Sequence, residues 1–325
     1  AHGMTFFETG WGLDVILWFQ SWRTPLVTNL ALFFHYLGLT EFYILVLPFV
    51  YWCISPALGR RLAVVTVGFA WSNSLLKSLF RRPRPYFMSP AVQNAVVETS
   101  YGVPSGHAQG AATFGGFIAR EARRPWVTLA AAVYILLMAA SRMVLGVHYP
   151  QDVALGVVLG LLIVALYAIL DRPVSAWLAR QSLVTHLALV AGVTALLLVI
   201  HPVLVGVSSP EWLDEPLTTD ELTGAPLTAI SLFLGLGIGM AVEWRTVRFS
   251  AAGPWGLRIL RFVVGLLGIA ALQFGLLALV PALESGALLR LLHGALVGLW
   301  ASLGAPWLFV TVGLAPGARA TGQPA

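Results

Sequence analysis

Long apolar stretches separated by short polar clusters make up most of the chain. A helix that crosses a bilayer needs roughly 20 predominantly apolar residues. Stretches close to that length predict an all-α, polytopic membrane bundle of about nine spans. The predicted spans cover residues 39–54, 62–80, 105–120, 126–145, 150–171, 184–207, 226–242, 262–280 and 288–314.

Two shorter apolar stretches, residues 11–22 and 26–34, precede the first predicted span. Arg23, Pro25 and Asn29 interrupt them, so neither stretch has the length of a span. We therefore expect short interfacial or partly inserted helices at the N-terminal end.

The pattern predicts three regions along the chain. Residues 1–36 hold the interfacial helices and, ahead of Met4, an Ala-His-Gly segment that is interpreted as an expression scar. Residues 37–173 form the predicted catalytic membrane core, which contains all three polar motifs described below. Residues 174–325 are predicted to be C-terminal membrane helices of unknown role.

Composition supports a membrane protein and excludes several other classes. Of the 325 residues, 58% are hydrophobic and 10% are charged, and the mean hydropathy is +0.83, which is too apolar for a soluble domain. The net charge of +5 does not indicate nucleic-acid binding, because the cations lie in short clusters between apolar runs. Cys53 is the only cysteine, which excludes a disulfide and a cysteine-rich metal site.

Three polar clusters interrupt the apolar pattern in the first half of the chain. They are residues 77–85, residues 104–107, and Ser141-Arg142 together with residues 148–152. Each lies at the same end of its adjoining span, so the alternation of spans places all three on one face. Ionisable groups near a bilayer are costly unless they are paired or hydrated, and their convergence therefore indicates a functional site. Two imidazoles, a carboxylate and three cations suit phosphoryl transfer through a phosphohistidine, which needs no metal.

The spacing of these residues resembles a known signature. The pattern is similar to the signature of the type 2 phosphatidic acid phosphatase superfamily. It consists of Lys-(six residues)-Arg-Pro, then Pro-Ser-Gly-His, then Ser-Arg-(five residues)-His-(three residues)-Asp. That superfamily also includes glucose-6-phosphatase-like enzymes and vanadium haloperoxidases. Every position is filled, by Lys77, Arg84, Pro85, Pro104, Ser105, Gly106, His107, Ser141, Arg142, His148 and Asp152.

The two histidines of the motifs receive distinct expected roles. His148 and Asp152 are four residues apart at a helix start marked by Pro150, so the carboxylate is about one turn from the imidazole and can fix its tautomer. The resemblance implies that His148 is the nucleophile and Asp152 its orienting partner. It also implies that His107 protonates the leaving oxygen and later activates water.

The remaining motif residues are expected to bind or support the phosphoryl group. Ser105 suits a helix N-cap, Gly106 permits close approach of the backbone, and amides at a helix start favour an anion. Lys77, Arg84 and Arg142 are expected to clamp the phosphoryl oxygens. Structural support is expected from Pro85, Pro104 and Ser141.

Several polar residues outside the motifs have simpler explanations. Glu98 and Tyr101 precede the second cluster, where shaping of the pocket mouth and ordinary loop placement explain them equally well. Helix packing or an interfacial position is the favoured interpretation for the histidines without a partner pattern, which are His35, His186, His201 and His293.

Charge distribution predicts the orientation in the membrane. The face opposite the motifs carries an excess of arginine, at Arg60, Arg61, Arg120, Arg123, Arg124, Arg172 and Arg180. The charged residues of the loop after residue 207 are all acidic, and they are Glu211, Asp214, Glu215, Asp220 and Glu221. By the positive-inside rule, the arginine-rich face is cytoplasmic. We expect a bacterial inner-membrane protein with an extracytoplasmic active site.

The pattern and the resemblance together favour a phosphatase that acts on a lipid phosphate or diphosphate without a cofactor. Polyprenyl diphosphate, phosphatidylglycerol phosphate, phosphatidic acid and sphingoid phosphates all share the phosphoryl group that the motifs contact. The expected partners are this substrate and membrane lipids, with no nucleic acid. A lipid phosphotransferase, or a transporter or scaffold with a residual site, is an alternative. A haloperoxidase is disfavoured because those relatives resemble soluble proteins.

Overall fold

A computed structural model describes residues 10–205, 219–275, 278 and 286–317. Within these ranges the regular elements are helices and no strand occurs, which confirms the all-α membrane fold. The helices are α1 (Trp11–Ser21), α2 (Pro25–Tyr36), α3 (Thr40–Phe49), α4 (Pro56–Phe80), α5 (Pro85–Met88), α6 (Gly106–Ala122), α7 (Pro125–Val144), α8 (Pro150–Leu178), α9 (Leu183–Val205), α10 (Thr219–Thr246), α11 (Trp255–Ala270), α12 (Ala287–Leu299) and α13 (Ala305–Thr311). Short π-helical turns, Val50–Ile54, Ala271–Gly275 and Trp300–Gly304, follow α3, α11 and α12.

The number of spans agrees roughly with the predicted one. By length and composition, seven helical segments among the described residues are able to cross a membrane, and the α2–α3 pair, bent by 55°, makes an eighth if it is one span. The span predicted at residues 105–120 corresponds to α6, which has 17 residues. The Ala-His-Gly segment before Met4 and the side chains of the predicted acidic loop lie outside the described residues.

The chain forms two compact units. Of the described residues, the first unit contains residues 10–42, 68–170, 205 and 219–222, and the second contains residues 43–67, 171–204, 223–275, 278 and 286–317. Helices α4 and α8 each contribute to both units. All three motif clusters belong to the first unit. The three sequence regions described above remain a prediction about domain organisation.

The first unit brings the motif clusters together through the ends of four helices. Lys77 lies in the last turn of α4, and His107 lies in the first turn of α6. Arg142 lies in the last turn of α7, and Asp152 lies in the first turn of α8. Helix α4 ends where Arg81 adopts a left-handed conformation (φ 49°), two residues before Pro83.

Close packing of α6 against α8 holds two of these ends in register. A Cβ atom at Gly156 would lie 2.6 Å from the carbonyl oxygen of Ser105, and one at Gly160 would lie 2.7 Å from Cβ of Ala112. Only glycine permits these backbones to approach so closely. Glycine at these positions of α8 therefore fixes the distance between Asp152 and the start of α6.

The second unit has its own apolar core and a buried polar network. Trp52 packs edge-on against Phe309 with ring centroids 5.6 Å apart, and its indole N–H donates to the Ala301 carbonyl oxygen at 2.9 Å. The Glu243 carboxylate accepts the Phe249 backbone N–H at 2.7 Å and lies 3.4 Å from the Arg60 guanidinium. These contacts satisfy the buried polar groups of Trp52 and Glu243.

Candidate active site

His148 and Asp152 form a histidine–carboxylate pair at the start of α8. Asp152 Oδ2 lies 3.4 Å from His148 Nδ1 and accepts the Tyr149 backbone N–H at 2.9 Å. The Asp152 carbonyl oxygen accepts the Ser105 N–H at 3.0 Å, which links α8 to the start of α6. Because a carboxylate only accepts hydrogen bonds, the pair places the proton of His148 on Nδ1 and leaves the lone pair on Nε2.

The Nε2 atom of His148 faces the guanidinium of Arg84. Arg84 Nη1 lies 3.0 Å from His148 Nε2 and also donates to the Val147 carbonyl oxygen at 3.0 Å. Arg84 Nε donates to the Ser100 carbonyl oxygen at 2.7 Å, and the Arg84 side chain is fully buried. The guanidinium is therefore held rigidly, with one edge directed at the expected nucleophile.

The environment of His148 keeps its imidazole neutral. Burial and then the positive charge of Arg84 hold the pKa of His148 well below its usual range. Only the neutral form has a lone pair on Nε2, and in this structure that lone pair accepts a hydrogen bond from Arg84 Nη1 at 3.0 Å. Attack on an electrophile therefore requires this hydrogen bond to be released.

A second carboxylate, that of Glu98, lies among the motif cations. Glu98 Oε2 lies 3.2 Å from Arg84 Nη2, and Glu98 Oε1 lies 3.7 Å from Arg142 Nη1. Burial alone would raise the pKa of Glu98, but the positive charges around it, led by that of Arg84, lower its pKa to about 2. Glu98 is therefore ionised at neutral pH.

The His107 side chain contacts His35 of α2, within the first unit. Its Nε2 donates to the His35 carbonyl oxygen at 3.2 Å, and its ring stacks on the His35 ring with centroids 4.9 Å apart and planes 14° apart. A Cβ atom at Gly38 would overlap the His107 ring, so glycine leaves room for it. The other ring nitrogen, Nδ1, lies 3.7 Å from Glu98 Oε1.

Arg142 is oriented by two side-chain contacts. Its Nη1 donates to His35 Nδ1 at 3.1 Å, and its Nε lies 3.1 Å from Ser141 Oγ, which itself donates to the Met138 carbonyl oxygen at 2.7 Å. Arg142 Nη2 is buried and has no hydrogen-bond partner among the described residues. A buried donor of this kind is available to an oxygen of a bound anion.

Lys77 completes the group of cations. Its Nζ donates to Ser100 Oγ at 3.1 Å and to the Tyr101 carbonyl oxygen. We use the term cationic cup for the arrangement formed by Lys77, Arg84, His107, Arg142 and His148. Arg84 links the two histidines across it, because its Nη1 contacts His148 and its Nη2 contacts the Glu98 carboxylate beside His107.

The other motif residues shape the turn before α6. Ser105 is the N-cap of α6 and its Oγ accepts the Ala108 N–H at 3.4 Å. The Pro104 carbonyl oxygen accepts the Asn73 side-chain amide at 3.3 Å, and a Cβ atom at Gly106 would lie 3.0 Å from Asn73 Oδ1. Pro85 is buried at the first position of α5 and directly follows Arg84. The structure thus brings all the motif residues around one site.

Sequence reasoning did not identify His35 and Glu98 as central residues of this site. The sequence favours helix packing or an interfacial position for His35, and it explains Glu98 equally well as a pocket-mouth or an ordinary loop residue. Neither belongs to a motif. Only the position of Glu98 between two motif clusters was a signal, and for His35 the sequence contains none.

A metal-ligand geometry is also present at this site. Ligand atoms of His35, Glu98 and His107 lie within 4.8 Å of one another. However, His35 Nδ1 already accepts a hydrogen bond from Arg142 Nη1 at 3.1 Å. A divalent cation bound there would displace that contact and face the guanidinium charge. Binding of a metal ion by this cluster would therefore require loss of the contact between Arg142 and His35.

Two segments of the sequence match protein families. Residues 57–174 match the PAP2 superfamily, and residues 227–317 match the model described as PAP2 superfamily phosphatase, transmembrane extension. The first matched segment contains every motif residue of the cationic cup. The second lies within the C-terminal region, to which the sequence alone assigned no role.

Individual relatives are phosphatases by name. Sphingosine-1-phosphate phosphatase 2 of Mus musculus is 33% identical over 136 residues, which are 40% of this chain and 38% of that protein. Decaprenylphosphoryl-5-phosphoribose phosphatase of Mycobacterium tuberculosis is 40% identical over 86 residues, which are 26% of this chain and 46% of that protein. The chain therefore matches less than half the length of each of these relatives.

Among solved structures, part of this chain is similar to the first transmembrane PAP2 type phosphatidylglycerolphosphate phosphatase from Bacillus subtilis. It is 25% identical with a TM-score of 0.44, over 50% of this chain and 85% of that one. The two family matches together cover more than half of the chain, and the first contains the complete phosphatase signature. The chain therefore belongs to the PAP2 superfamily, as an integral membrane member.

Proposed function

We propose that this protein hydrolyses a lipid phosphate or diphosphate through a phosphohistidine at His148, without a metal ion. The observation that carries the proposal is the neutral His148 Nε2, which faces a buried arginine while Asp152 holds the opposite ring nitrogen. Membership of the PAP2 superfamily and similarity to lipid phosphate phosphatases support the same chemistry.

In the first step, the Nε2 lone pair of His148 attacks phosphorus and forms an N–P bond. The bond between phosphorus and the leaving oxygen breaks, and His107, which enters this step as the imidazolium with a proton on each ring nitrogen, transfers its Nδ1 proton to that oxygen. The His107 Nε2–H bond to the His35 carbonyl oxygen leaves Nδ1 as the nitrogen that exchanges the proton. Asp152 stabilises the positive charge that develops on the ring of His148.

In the second step, a water molecule attacks the phosphohistidine. His107 Nδ1, now neutral, accepts a proton from that water, and the N–P bond breaks. Inorganic phosphate is released and the electron pair returns to His148 Nε2. Both catalytic histidines are then back in their starting protonation states.

The cations of the cup stabilise charge on the transferring group. Arg84 and Arg142 present planar donors, and Lys77 adds a compact positive charge. The unpartnered Arg142 Nη2 is one donor that a phosphoryl oxygen would take. Removing one transition-state contact of this type generally costs about 3 kcal/mol, or about a hundredfold in rate.

Phosphate release by the detergent-purified protein tests this function. The panel should contain a sphingoid phosphate, phosphatidic acid, a polyprenyl diphosphate and water-soluble p-nitrophenyl phosphate, each with and without EDTA. We expect release from at least one lipid that resists EDTA and is inhibited by orthovanadate, because vanadate resembles the pentacoordinate transition state.

Three outcomes of the same assay would contradict the proposal. Loss of activity in EDTA that added metal restores would assign a metal to the reaction. Phosphate appearing on an added alcohol or lipid phosphate, and not in water, would identify a phosphotransferase. Absence of release from every compound, with lipid movement intact in reconstituted vesicles, would favour a transporter.

We further propose that the active site faces the extracytoplasmic side of a bacterial inner membrane. The arginine excess on the opposite face supports this orientation. Cys53, the only cysteine, is buried, so single introduced cysteines give a clean signal. In intact cells, an impermeant thiol reagent should label Val97→Cys in the exposed loop beside the site and should not label Arg124→Cys.

The reverse labelling pattern would contradict this orientation. Both variants should react after lysis, since both positions are exposed, and that reaction serves as the control.

A further inference from the structure

The carboxylate of Glu98 lies where the cationic cup would hold an anion. Its side chain is 16% exposed, and its two oxygens approach the guanidinium groups of Arg84 and Arg142. Its Oε1 atom also lies 3.7 Å from Nδ1 of His107. Glu98 thus contacts the groups on which the proposed reaction depends.

Of the two carboxylate oxygens, Oε2 accepts a hydrogen bond from Arg84 Nη2 at 3.2 Å, while Oε1 is held loosely. Glu98 Oε1 is buried but makes no hydrogen bond among the described residues, and its nearest cationic or imidazole nitrogens lie 3.7 to 4.0 Å away. Hydrogen bonds between charged groups are normally about 2.7–2.9 Å long. A planar carboxylate therefore fits this space less well than a larger tetrahedral group with more oxygens would.

The main chain of Glu98 is fixed by hydrogen bonds that do not involve its side chain. The Tyr86 hydroxyl donates to the Glu98 carbonyl oxygen at 3.0 Å and accepts the Glu98 backbone N–H at 3.4 Å. Helix α5 carries Tyr86 directly after Arg84 and Pro85. Rotation of the Glu98 side chain can therefore empty the cup without movement of the loop.

We propose that Glu98 is an internal competitor for the phosphate position: its carboxylate occupies the cationic cup at rest, yields to the substrate phosphoryl group, and returns to displace inorganic phosphate after hydrolysis. The inference deepens the proposed function and rests on it for the identity of the competing anion. A monoanion on the same chain competes at a high effective concentration. A phosphate dianion displaces it because it brings a larger charge to the same cations.

The reason for such a residue lies in product release. Three cationic side chains around one site would bind inorganic phosphate tightly once the lipid had left. A tethered carboxylate that re-enters the cup shifts this equilibrium towards release. It also neutralises part of the buried positive charge while no ligand is bound.

The test is the dissociation constant of inorganic phosphate, measured by calorimetric titration of the detergent-purified full chain. Glu98→Gln keeps the size and polarity of the side chain but removes its charge. We expect this variant to bind phosphate at least about tenfold more tightly than the unaltered protein, as removal of one nearby negative charge implies. Orthovanadate should show the same change.

Two further variants make the result decisive. Glu41→Gln removes an exposed carboxylate from the first turn of α3, outside the cup, and should leave phosphate binding within about twofold. Glu98→Asp keeps the charge but shortens its reach, and should tighten phosphate binding less than Glu98→Gln does. The aspartate variant also keeps the test available if Glu98→Gln fails to fold.

Unchanged or weaker phosphate binding in a folded Glu98 variant would overturn the inference, and would instead assign Glu98 to holding the cations or His107 in place. The outcome is separable from the proposed function, because the titration does not require turnover. Tighter binding without lipid phosphate hydrolysis would support Glu98 as a competitor and reject the phosphatase. Lipid phosphate hydrolysis without tighter phosphate binding would support the phosphatase and reject Glu98 as a competitor.

Discussion

Replacing His148 with alanine is expected to lower kcat by about 10⁴-fold or more, since removal of a catalytic nucleophile leaves only the contribution of binding and charge stabilisation. The substitution removes the one imidazole nitrogen that faces Arg84. Activity should be measured on the lipid phosphate that the substrate panel identifies, at saturating concentration. His293→Ala serves as the matched control, because His293 contacts the Leu272 carbonyl oxygen at 3.0 Å within the second unit and should keep full activity.

A covalent intermediate provides a second measurement for the same residue. With a ³²P-labelled ester that has a good leaving group, His107→Ala should accumulate labelled protein, because the first step then needs no acid while the second step lacks its base. The label should be stable in alkali and labile in acid, as expected for an N–P bond. Labelling that persists in His148→Ala would show that another residue is the nucleophile.

Asp152→Asn should lower kcat by about 10³-fold to 10⁴-fold with little change in KM, since loss of the orienting carboxylate of a histidine pair has effects of this size in another enzyme class. The asparagine oxygen can still accept the Tyr149 N–H, so the start of α8 should keep its geometry. The same oxygen position faces His148 Nδ1, so the proton stays on Nδ1, and what the substitution removes is the negative charge that stabilises the developing imidazolium.

Asp171→Asn is the matched control for this substitution. Asp171 is a carboxylate of the second unit that lies 3.9 Å from the Arg61 guanidinium, and its loss should leave kcat unchanged. Vanadate should bind Asp152→Asn nearly as well as the unaltered protein, because Arg84, Arg142 and Lys77 keep their positions. A matching loss of vanadate binding would show instead that Asp152 holds the cup together.

The local sequence was sufficient for the parts of the site that depend on helix ends. Ser105 as an N-cap and Pro150 at the start of α8 follow from the backbone requirements of a helix start. The spacing of His148 and Asp152 then predicts their contact. Each of these features depends on residues within one turn of a helix, where spacing determines which side chains meet.

The contacts of His107 and Arg142 with His35 could not be predicted from the spacing of neighbouring residues. Both contact His35, and Arg142 is separated from His35 by 107 positions in the sequence. Their contact depends on how α2 packs against the ends of α6 and α7, which no local pattern specifies. Glu98 is a similar case, since its loop has no regular structure between α5 and α6 apart from turns.

The sequence by itself determined that this is a helical membrane protein with a phosphatase signature, because apolar length and motif spacing are properties of contiguous residues. It could not determine what surrounds the motif cations. Only the tertiary structure placed Glu98 and His35 among them, because packing between helices distant in sequence decides which charges share a buried site.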